Sequence, residues 1–166
     1  MRVGLVSDVH GWLPPALFEL LRGADRILFA GDVERPELLA DLEAIAPVDA
    51  VWGNSDGPDV RAITREELVV DLEGARFAIA HGHRVAPRFD LLLDRFPDAD
   101  VVVHGHSHVP SRRRVGERWL VNPGSAGRAR NGWPSSVALA EVRDGRARFT
   151  HLALPDGRPF DPADPG

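Results

Sequence analysis

Short apolar runs alternate with longer runs at helical spacing through the first third of the chain. The apolar pattern predicts strands at residues 2–7, 26–30 and 49–52. Apolar residues at helical spacing, each series with a proline near its start, predict helices at residues 14–21 and 37–45. This repeated strand–loop–helix pattern indicates that the first half of the chain carries a parallel sheet.

The second half of the chain has a different pattern. A hairpin is predicted from residues 68–72 and 75–80 around Glu73-Gly74, followed by a helix at 87–96 and a buried strand at 101–103. The remaining predicted strands form two pairs, 109–115 with 119–122 and 137–142 with 147–154. We therefore expect the second half to form an antiparallel or mixed sheet that packs on the first one.

Length and composition limit the classes of protein to which the chain can belong. Its 166 residues fit a single domain, 1–166, in which the proline-rich tail 155–166 is expected to be irregular. No apolar run approaches the ~20 residues that span a bilayer, and Met1 leads directly into a strand. Since no signal peptide is visible, we expect a cytoplasmic protein with no membrane partner.

Missing residue types exclude several kinds of chemistry. The chain has no cysteine, which excludes disulfides, iron–sulfur clusters and thiol catalysis. It also has no lysine, which excludes Schiff-base chemistry and the phosphate-loop lysine motif. The formal net charge of −5 argues against bulk nucleic-acid binding.

Polar residues that can bind metals follow the predicted strands in short glycine-containing blocks. Six of the seven histidines lie in or beside these blocks, together with Asp and Asn. Ligands of open α/β sheets collect beyond the carboxyl ends of strands, so we expect the blocks to meet at one point. The candidate metal ligands are Asp8, His10, Asp32, Asn54, His81, His106 and His108. Seven ligands exceed the needs of one tetrahedral ion but suit two ions that share a carboxylate.

Six motifs in this order resemble those of the calcineurin-like metallophosphoesterases, in particular their small bacterial and archaeal phosphodiesterases. The motifs are Asp8-x-His10, Gly31-Asp32, Gly53-Asn54-x-Asp56, His81-Gly82-His83, Gly105-His106-x-His108 and Asn122-Pro123-Gly124-Ser125. The resemblance implies a four-layer αββα sandwich of two mixed sheets flanked by helices. It also implies that Asp8, His10 and His108 bind a first metal, that Asn54, His81 and His106 bind a second, and that Asp32 bridges the two.

The implied activity is hydrolysis of a phosphate ester, most of all a diester, of a small molecule or nucleotide. Two divalent transition-metal ions, Mn or Fe and alternatively Zn or Ni, would lower the pKa of a bridging water and supply a hydroxide for in-line attack on phosphorus. Asp32, Asn54 and His83 are the candidate catalytic residues. Many relatives have a histidine directly after the metal-binding Asn, whereas Ser55 occupies that position here. His83 or a water is therefore expected to assist the leaving group.

Candidate substrate contacts are more weakly indicated than the metal ligands. Arg128 and Arg130 follow the turn at residues 122–125, and arginine suits bidentate contacts with phosphate, although a structural salt bridge explains either residue equally well. Trp12 could narrow the pocket or stack on a base. Asn122 is expected to fix its turn and orient ligands.

Several histidines, arginines and tryptophans have simpler interpretations. His104 and His151 are expected to be structural, the three arginines at 112–114 to lie on a solvated hairpin, and Trp119 and Trp133 to belong to the core or an interface.

Two alternative functions remain open at this stage. A phosphomonoesterase could use the same ligands, and more arginine in the pocket would favour it. A retromer subunit with this fold acts as a scaffold, which would predict a degenerate or empty site. Oligomeric state is not indicated by any motif, although a homo-oligomer fits the resemblance.

Overall fold

The computed structural model describes residues 1–162, which form eleven strands and four short helices. The strands are β1 (Arg2–Val6), β2 (Arg26–Ala30), β3 (Val48–Val51), β4 (Glu67–Leu72), β5 (Ala75–Ala80), β6 (Val101–Val103), β7 (Ser111–Val115), β8 (Arg118–Asn122), β9 (Ser136–Arg143), β10 (Arg146–Ala153) and β11 (Pro159–Phe160). The helices are α1 (Pro15–Leu20), α2 (Glu37–Glu43), α3 (Pro58–Ile63) and α4 (Leu91–Arg95). None of these helices is long and apolar enough to cross a membrane.

The first sheet has six strands in the order β11-β10-β9-β1-β2-β3. Strands β1, β2 and β3 are parallel, while β9 pairs antiparallel with β1 and β10 with β9. The prediction that the first half forms a parallel sheet of its own was therefore wrong, since three C-terminal strands complete it. The first five residues of β9 are all buried, which suits an interior position between β1 and β10.

The second sheet has five strands in the order β4-β5-β6-β8-β7. Its central strands β5, β6 and β8 are parallel, and the edge strands β4 and β7 pair antiparallel with their neighbours. The predicted pairing of strands 68–72 with 75–80 and of 109–115 with 119–122 is confirmed.

Three layers of apolar side chains hold the sheets and helices together. Alternate residues of a strand point to opposite faces, so Leu5 packs between the sheets while Val6 faces the helices. Phe77 and Ile79 of the second sheet face the same inner layer as Leu5. Leu92 of α4 belongs to a separate apolar cluster on the outer face of the second sheet. The resulting helix–sheet–sheet–helix arrangement confirms the expected four-layer αββα sandwich.

Several element boundaries differ from the prediction. The helix expected at 87–96 is limited to α4, because the preceding residues form separate turns and Phe89 stacks on His104 with 4.6 Å between ring centroids. Helix α3 was missed, although its start at Gly57-Pro58 carries a proline at a first-turn position.

The C-terminal segment is less irregular than expected. Strand β11 lies within the tail predicted to be irregular and pairs with β10 at the sheet edge, where the missing N–H of Pro159 is tolerated. The rest of that prediction, for residues 163–166, lies outside the described residues.

Candidate metal centre

The loops that follow five parallel strands bring the candidate ligands to one edge of the two sheets. Asp8 and His10 follow β1, and His108 lies in the loop after β6. His108 Nε2 lies 3.3 Å from Asp8 Oδ1 and 3.2 Å from His10 Nε2. One potential ligand atom from each of these residues lies within 4.8 Å of the other two, so the three form a candidate metal-binding group.

A second group surrounds Asp32, which follows β2. Asp32 Oδ2 lies 3.3 Å from His81 Nε2 and 3.8 Å from His10 Nε2, so the carboxylate stands between the two groups. Asn54 Oδ1 lies 3.2 Å from His81 Nε2. The ring centroid of His106 lies 5.3 Å from that of His81. The structure thus brings all seven predicted ligands together, although Asn54 and His106 contact only the second group among these distances.

The backbone at this edge adopts a conformation that side-chain-bearing residues rarely take. Left-handed backbone costs a non-glycine residue about 1–2 kcal/mol, and it persists only where the surrounding structure imposes it. Positive φ angles occur at Asp8 (56°), His10 (47°), Asp32 (59°), Glu34 (64°), His106 (67°) and His108 (58°). Strain concentrated in one place is typical of a functional site.

Two glycines leave room that the carboxylates occupy. A Cβ at Gly53 would collide with Asp32 Oδ1, and one at Gly105 would lie 2.6 Å from Asp8 Oδ2. Neither of these glycines has a positive φ, so their role is to avoid a collision. The glycines predicted to keep Cβ atoms out of the site therefore include two that do so directly.

The Asp56 carboxylate fixes the two loops that carry Asp32 and Asn54. It accepts hydrogen bonds from the backbone N–H groups of Asp32 (2.9 Å), Gly53 (2.7 Å) and Glu34 (2.6 Å). Asp56 is only 3% exposed, so these backbone bonds compensate for the desolvation of its charge. Sequence analysis included Asp56 in a motif without recognising this role.

Glu34 is a site residue that sequence analysis missed. Its Oε1 accepts a 2.7 Å hydrogen bond from His10 Nδ1. A carboxylate next to one nitrogen of a metal-binding histidine fixes the ring and leaves the other nitrogen free to bind. In the sequence, Glu34 is one of many acidic residues in loops, and only its position two residues after Asp32 could have drawn attention to it.

Hydrogen bonds determine which nitrogen of the key histidines is unprotonated. His81 Nδ1 lies 2.7 Å from the carbonyl oxygen of Ala30, which can only accept, so Nδ1 carries the proton. In a neutral ring, Nε2 then presents a lone pair to Asp32 Oδ2 and Asn54 Oδ1. His10 is fixed in the same way by Glu34, so its Nε2 lone pair faces His108.

Burial and mutual charge shift the pKa values of the acidic ligands in opposite directions. Burial raises the pKa of Asp8 to about 6, against the opposing effect of His81. Burial also acts to raise the pKa of Asp32, but the neighbouring His81 and the Ser55 N–H outweigh it and hold that pKa well below its usual range.

The histidines of the centre are shifted by the same forces. Burial lowers the pKa of His108 to about 4, helped by the charges of Arg130 and His10. Burial likewise lowers the pKa of His106. For His81, burial opposes the charged form, yet Asp32 and Asp8 together raise its pKa. Cationic charge is therefore favoured around Asp32 and disfavoured at His108.

This donor set fits a bound cation. Asp8 Oδ1 is buried and has no hydrogen-bond partner within residues 1–162. The Nε2 atoms of His10 and His108 lie 3.2 Å apart with no acceptor between them in the neutral rings. A divalent cation would satisfy these lone pairs at once, and imidazole with carboxylate ligands suits Mn, Fe, Zn or Ni.

The candidate catalytic and substrate-binding residues lie at different distances from this centre. The half-buried ring of His83 has its centroid 5.5 Å from that of His81, and burial lowers the pKa of His83. Arg130 is exposed, and its charge acts on His108. Trp12 is 52% exposed, and the Trp12 and Arg128 side chains form no hydrogen bond or ion pair within residues 1–162.

Asn122 holds the loop after β6 in place. Its Nδ2 donates to the carbonyl oxygen of Gly105 (2.9 Å) and lies 3.0 Å from Ser107 Oγ, while its Oδ1 accepts from Gly124 N–H (2.8 Å). The geometry matches the expectation that Asn122 fixes its turn.

The remaining singled-out residues have structural surroundings. His104 is buried against Phe89, and His151 is 1% exposed with Nε2 donating to the Asn122 carbonyl oxygen (2.8 Å). Trp119 and Trp133 each contact a phenylalanine ring. Of the three arginines on β7, Arg112 donates to the Phe149 carbonyl oxygen.

Comparison with known proteins identifies relatives by sequence. The calcineurin-like phosphoesterase superfamily domain matches residues 1–145. The chain is 36% identical over 148 residues to a probable metallophosphoesterase of Methanothermobacter thermautotrophicus, covering 84% of this chain and 85% of that protein. It is 30% identical over 164 residues to phosphodiesterase YfcE of Escherichia coli, covering 85% and 88%.

Solved structures share the fold. A novel archaeal phosphodiesterase matches with a TM-score of 0.74 at 23% identity, covering 92% of this chain and 100% of that one. Wild-type Vps29 of Entamoeba histolytica complexed with zinc matches with a TM-score of 0.82 at 24% identity, covering 99% of each chain. The chain belongs to the calcineurin-like phosphoesterase superfamily, which confirms the resemblance and the predicted function of metal-dependent phosphoesterase.

Proposed function

We propose that this chain is a phosphodiesterase that uses two divalent transition-metal ions, Mn or Fe in the first place and Zn or Ni as alternatives. The observation that carries the proposal is the position of Asp32, whose Oδ2 lies between His81 and His10 at the meeting point of two imidazole–carboxylate groups. A carboxylate in this position suits a bridge between two cations.

Each ion would have its own set of ligands. Asp8, His10 and His108 would hold the first ion, a set supported by their mutual distances. Asn54, His81 and His106 would hold the second ion around the shared Asp32. When bound, two such ions act as Lewis acids that neutralise charge on the phosphoryl oxygens and make water a better nucleophile.

The chain's own residues orient these ligands. Ser55 N–H donates to Asp32 Oδ1 (2.8 Å), and Ser55 Oγ donates to Asp32 Oδ2 (3.1 Å). These bonds hold the carboxylate in one rotamer, as Glu34 and the Ala30 carbonyl oxygen hold the rings of His10 and His81. Asn54 adds a neutral amide oxygen, which leaves more positive charge for substrate than a further carboxylate would.

His83 is assigned to the leaving group, and Arg130 to the phosphate. His83 is half-buried beside His81 and His106, where its imidazole can share a proton with a departing alkoxide. Arg130 lies near enough to affect His108 and can donate to phosphoryl oxygens. Arg128 and Trp12 are proposed only as outer contacts of a larger substrate, because both are exposed.

The substrate class follows from the same reasoning. We assign small-molecule or nucleotide phosphate esters, acting within one domain in the cytoplasm, and no bulk nucleic acid because of the net charge of −5.

The test compares a diester with a monoester. Metal-stripped protein is reloaded separately with Mn²⁺, Fe²⁺, Zn²⁺ or Ni²⁺ and assayed with bis-p-nitrophenyl phosphate and p-nitrophenyl phosphate, alongside His81→Ala. We expect metal-dependent hydrolysis of the diester, a stoichiometry of two ions per chain, and loss of both in the variant. One bound ion at full activity would contradict the dinuclear proposal.

Two alternatives predict other outcomes of this assay. Faster hydrolysis of the monoester would indicate a phosphomonoesterase. The fold likeness to Vps29 is the observation that favours a non-catalytic scaffold. Bound metal without hydrolysis of either ester would favour that alternative.

A further inference from the structure

A cavity of about 320 Å³ borders the candidate metal centre on the side of the second sheet. His81 and His83 line it, and their ring centroids lie 5.5 Å apart. Because Glu67 pairs with Ala80 across β4 and β5, the start of β4 stands beside the end of β5, where His81 follows. A group bound in this cavity would therefore lie next to a phosphate held at the metal centre.

The cavity combines apolar and polar surfaces. Ala80 and Leu92 are buried apolar residues of its lining, and the partly buried Val85 lies beside them. Ligand-binding cavities in proteins are about 300–1,000 Å³ and mostly apolar, with a few placed polar groups. This cavity stands at the lower end of that range, which suits one small organic group.

Two ion pairs provide the polar groups of the lining. Arg84 pairs with Glu66, and Arg95 pairs with Glu67. Both carboxylates and both guanidinium groups belong to the cavity, so their formal charges cancel. A charged ligand group would disturb this balance, whereas a neutral group with hydrogen-bond donors and acceptors could use both kinds of side chain.

An aromatic rim connects the cavity with the loop that carries Asn54. The Trp52 ring centroid lies 5.6 Å from that of His83, and the Arg84 guanidinium lies 5.9 Å from the Trp52 ring centre. Trp52 directly precedes Gly53-Asn54, so the rim moves with the metal-binding loop. Aromatic and guanidinium planes both stack well on flat heteroaromatic groups.

We propose that this cavity binds a nucleoside, as one of the two ester groups of the phosphodiester substrate. A nucleobase has apolar faces for the apolar lining, a neutral polar edge for the two ion pairs, and a flat ring for the Trp52–Arg84 rim. A sugar or polyol lacks the apolar faces, and a charged head group would upset the balanced pairs. The inference rests on the proposed function, since it assigns the substrate class of the same site.

The test uses two diesters with the same leaving group. Metal-loaded protein is assayed with p-nitrophenyl thymidine 5′-phosphate and with methyl p-nitrophenyl phosphate, which differ only in the group that is retained. We expect kcat/KM to be at least about 10-fold higher for the thymidine ester, a typical value for one additional well-filled pocket.

Matched variants connect that preference with the cavity. Val85→Phe fills the cavity and is expected to reduce the thymidine preference at least about 5-fold. Val69→Phe makes the same substitution on β4 at an exposed position outside the cavity and should leave the preference unchanged. Glu67→Gln is a second cavity variant that removes one charge with little change of shape, and it should also reduce the preference.

Direct binding separates the two proposals. Calorimetry measures the affinity of metal-loaded protein for thymidine 5′-monophosphate and for methyl phosphate. Tighter binding of the nucleotide, weakened in Val85→Phe, supports the cavity assignment even without hydrolysis, a result that would overturn only the proposed activity. Hydrolysis of both esters at similar rates, unaffected by Val85→Phe and Glu67→Gln, would overturn the nucleoside cavity and leave the proposed activity intact.

Discussion

At the carboxyl ends of the parallel strands, six non-glycine residues have positive φ angles, and at the opposite end of the sheets Glu73 and Asp144 do as well. The second pair lies in the turns that join β4 to β5 and β9 to β10. Each is followed by a glycine with positive φ, as two-residue hairpin turns require. The Gly145 N–H donates to the Glu73 carbonyl oxygen (2.9 Å), so the two turns support each other.

The metal-centre loops have no such local explanation. Their backbone is held by bonds between different loops, for example from Asp8 N–H to the Gly31 carbonyl oxygen (3.0 Å) and from His10 N–H to that of Asp32 (3.0 Å). Asp8 and Asp32 are buried, whereas the Asp144 side chain is 89% exposed. Positive φ therefore indicates chemistry only where a buried ionisable side chain accompanies it.

Cavity size is a poor guide in the same comparison. A cavity of about 880 Å³ lies at the hairpin end, lined mainly by charged residues such as Glu141 and Arg146. The smaller cavity of about 320 Å³ borders His81. Position relative to unpaired ligand atoms, and not volume, distinguishes the two ends.

The largest effect is expected when the same aspartate substitution is made at both ends. Asp32→Asn should lower kcat/KM for bis-p-nitrophenyl phosphate at least about 10²-fold and reduce metal content, because it removes the shared charge. Asp144→Asn, also at positive φ, should stay within about 2-fold because its exposed side chain touches no ligand. Retention of more than about a tenth of the activity in Asp32→Asn would show that Asp32 does not bridge metals.

A pair of glutamates gives the next effect. Glu34→Ala should weaken metal affinity about 10–100-fold, the usual cost of losing a carboxylate that orients a ligand histidine. Glu34→Gln, which can still accept from His10 Nδ1, should lie between the two proteins. Glu73→Ala, in the hairpin, is the control. Competition with a chelator of known affinity measures all three, and equal affinities for Glu34→Ala and Glu73→Ala would contradict the orienting role.

Two glycines should separate metal binding from stability. Gly53→Ala places a Cβ against Asp32 Oδ1, so we expect metal affinity to fall about 10-fold. Gly74→Ala forces a side chain into a positive φ of 80°, which should lower the free energy of unfolding by about 1–2 kcal/mol without changing metal affinity. Denaturant titration and metal competition on both variants check this, and the reverse pattern would refute it.

The smallest effect concerns a buried histidine outside the metal centre. Burial lowers the pKa of His151 to about 4, with Arg112 acting in the same direction, so the folded protein favours the neutral ring. Its contribution to stability is complete above the unfolded pKa of about 6.5 and is lost progressively as the pH falls towards 4.

Metal-free protein and His151→Gln are compared by denaturant titration from pH 7.5 to 5.5. We expect the natural protein to lose about 1 kcal/mol more than the variant over that interval. Because His104 is present in both proteins, it does not contribute to the difference. Equal pH slopes would mean that His151 carries its proton in the folded state.

Sequence alone predicted the elements with strong periodicity and the ligands with strong motif context. The strand at 26–30 and the hairpin around Glu73-Gly74 were located correctly, because an apolar run and its turn residues are local features. All seven candidate ligands converge, because residues that follow parallel strands must emerge at the same edge. Helix α3 was missed because six residues with few apolar positions give little periodic signal.

Contacts between distant segments could not be predicted from spacing. The sequence indicates Asp8, His10, Asp32, His81 and the other ligands because strand ends and metal-binding residue types are written locally. Glu34, 24 residues from His10, became visible only once their loops met. The entry of β9 between β1 and β10, the support that Asp56 gives to two loops, and the cavity beside His83 likewise arise from packing, since each depends on surfaces that do not exist until the two sheets have come together.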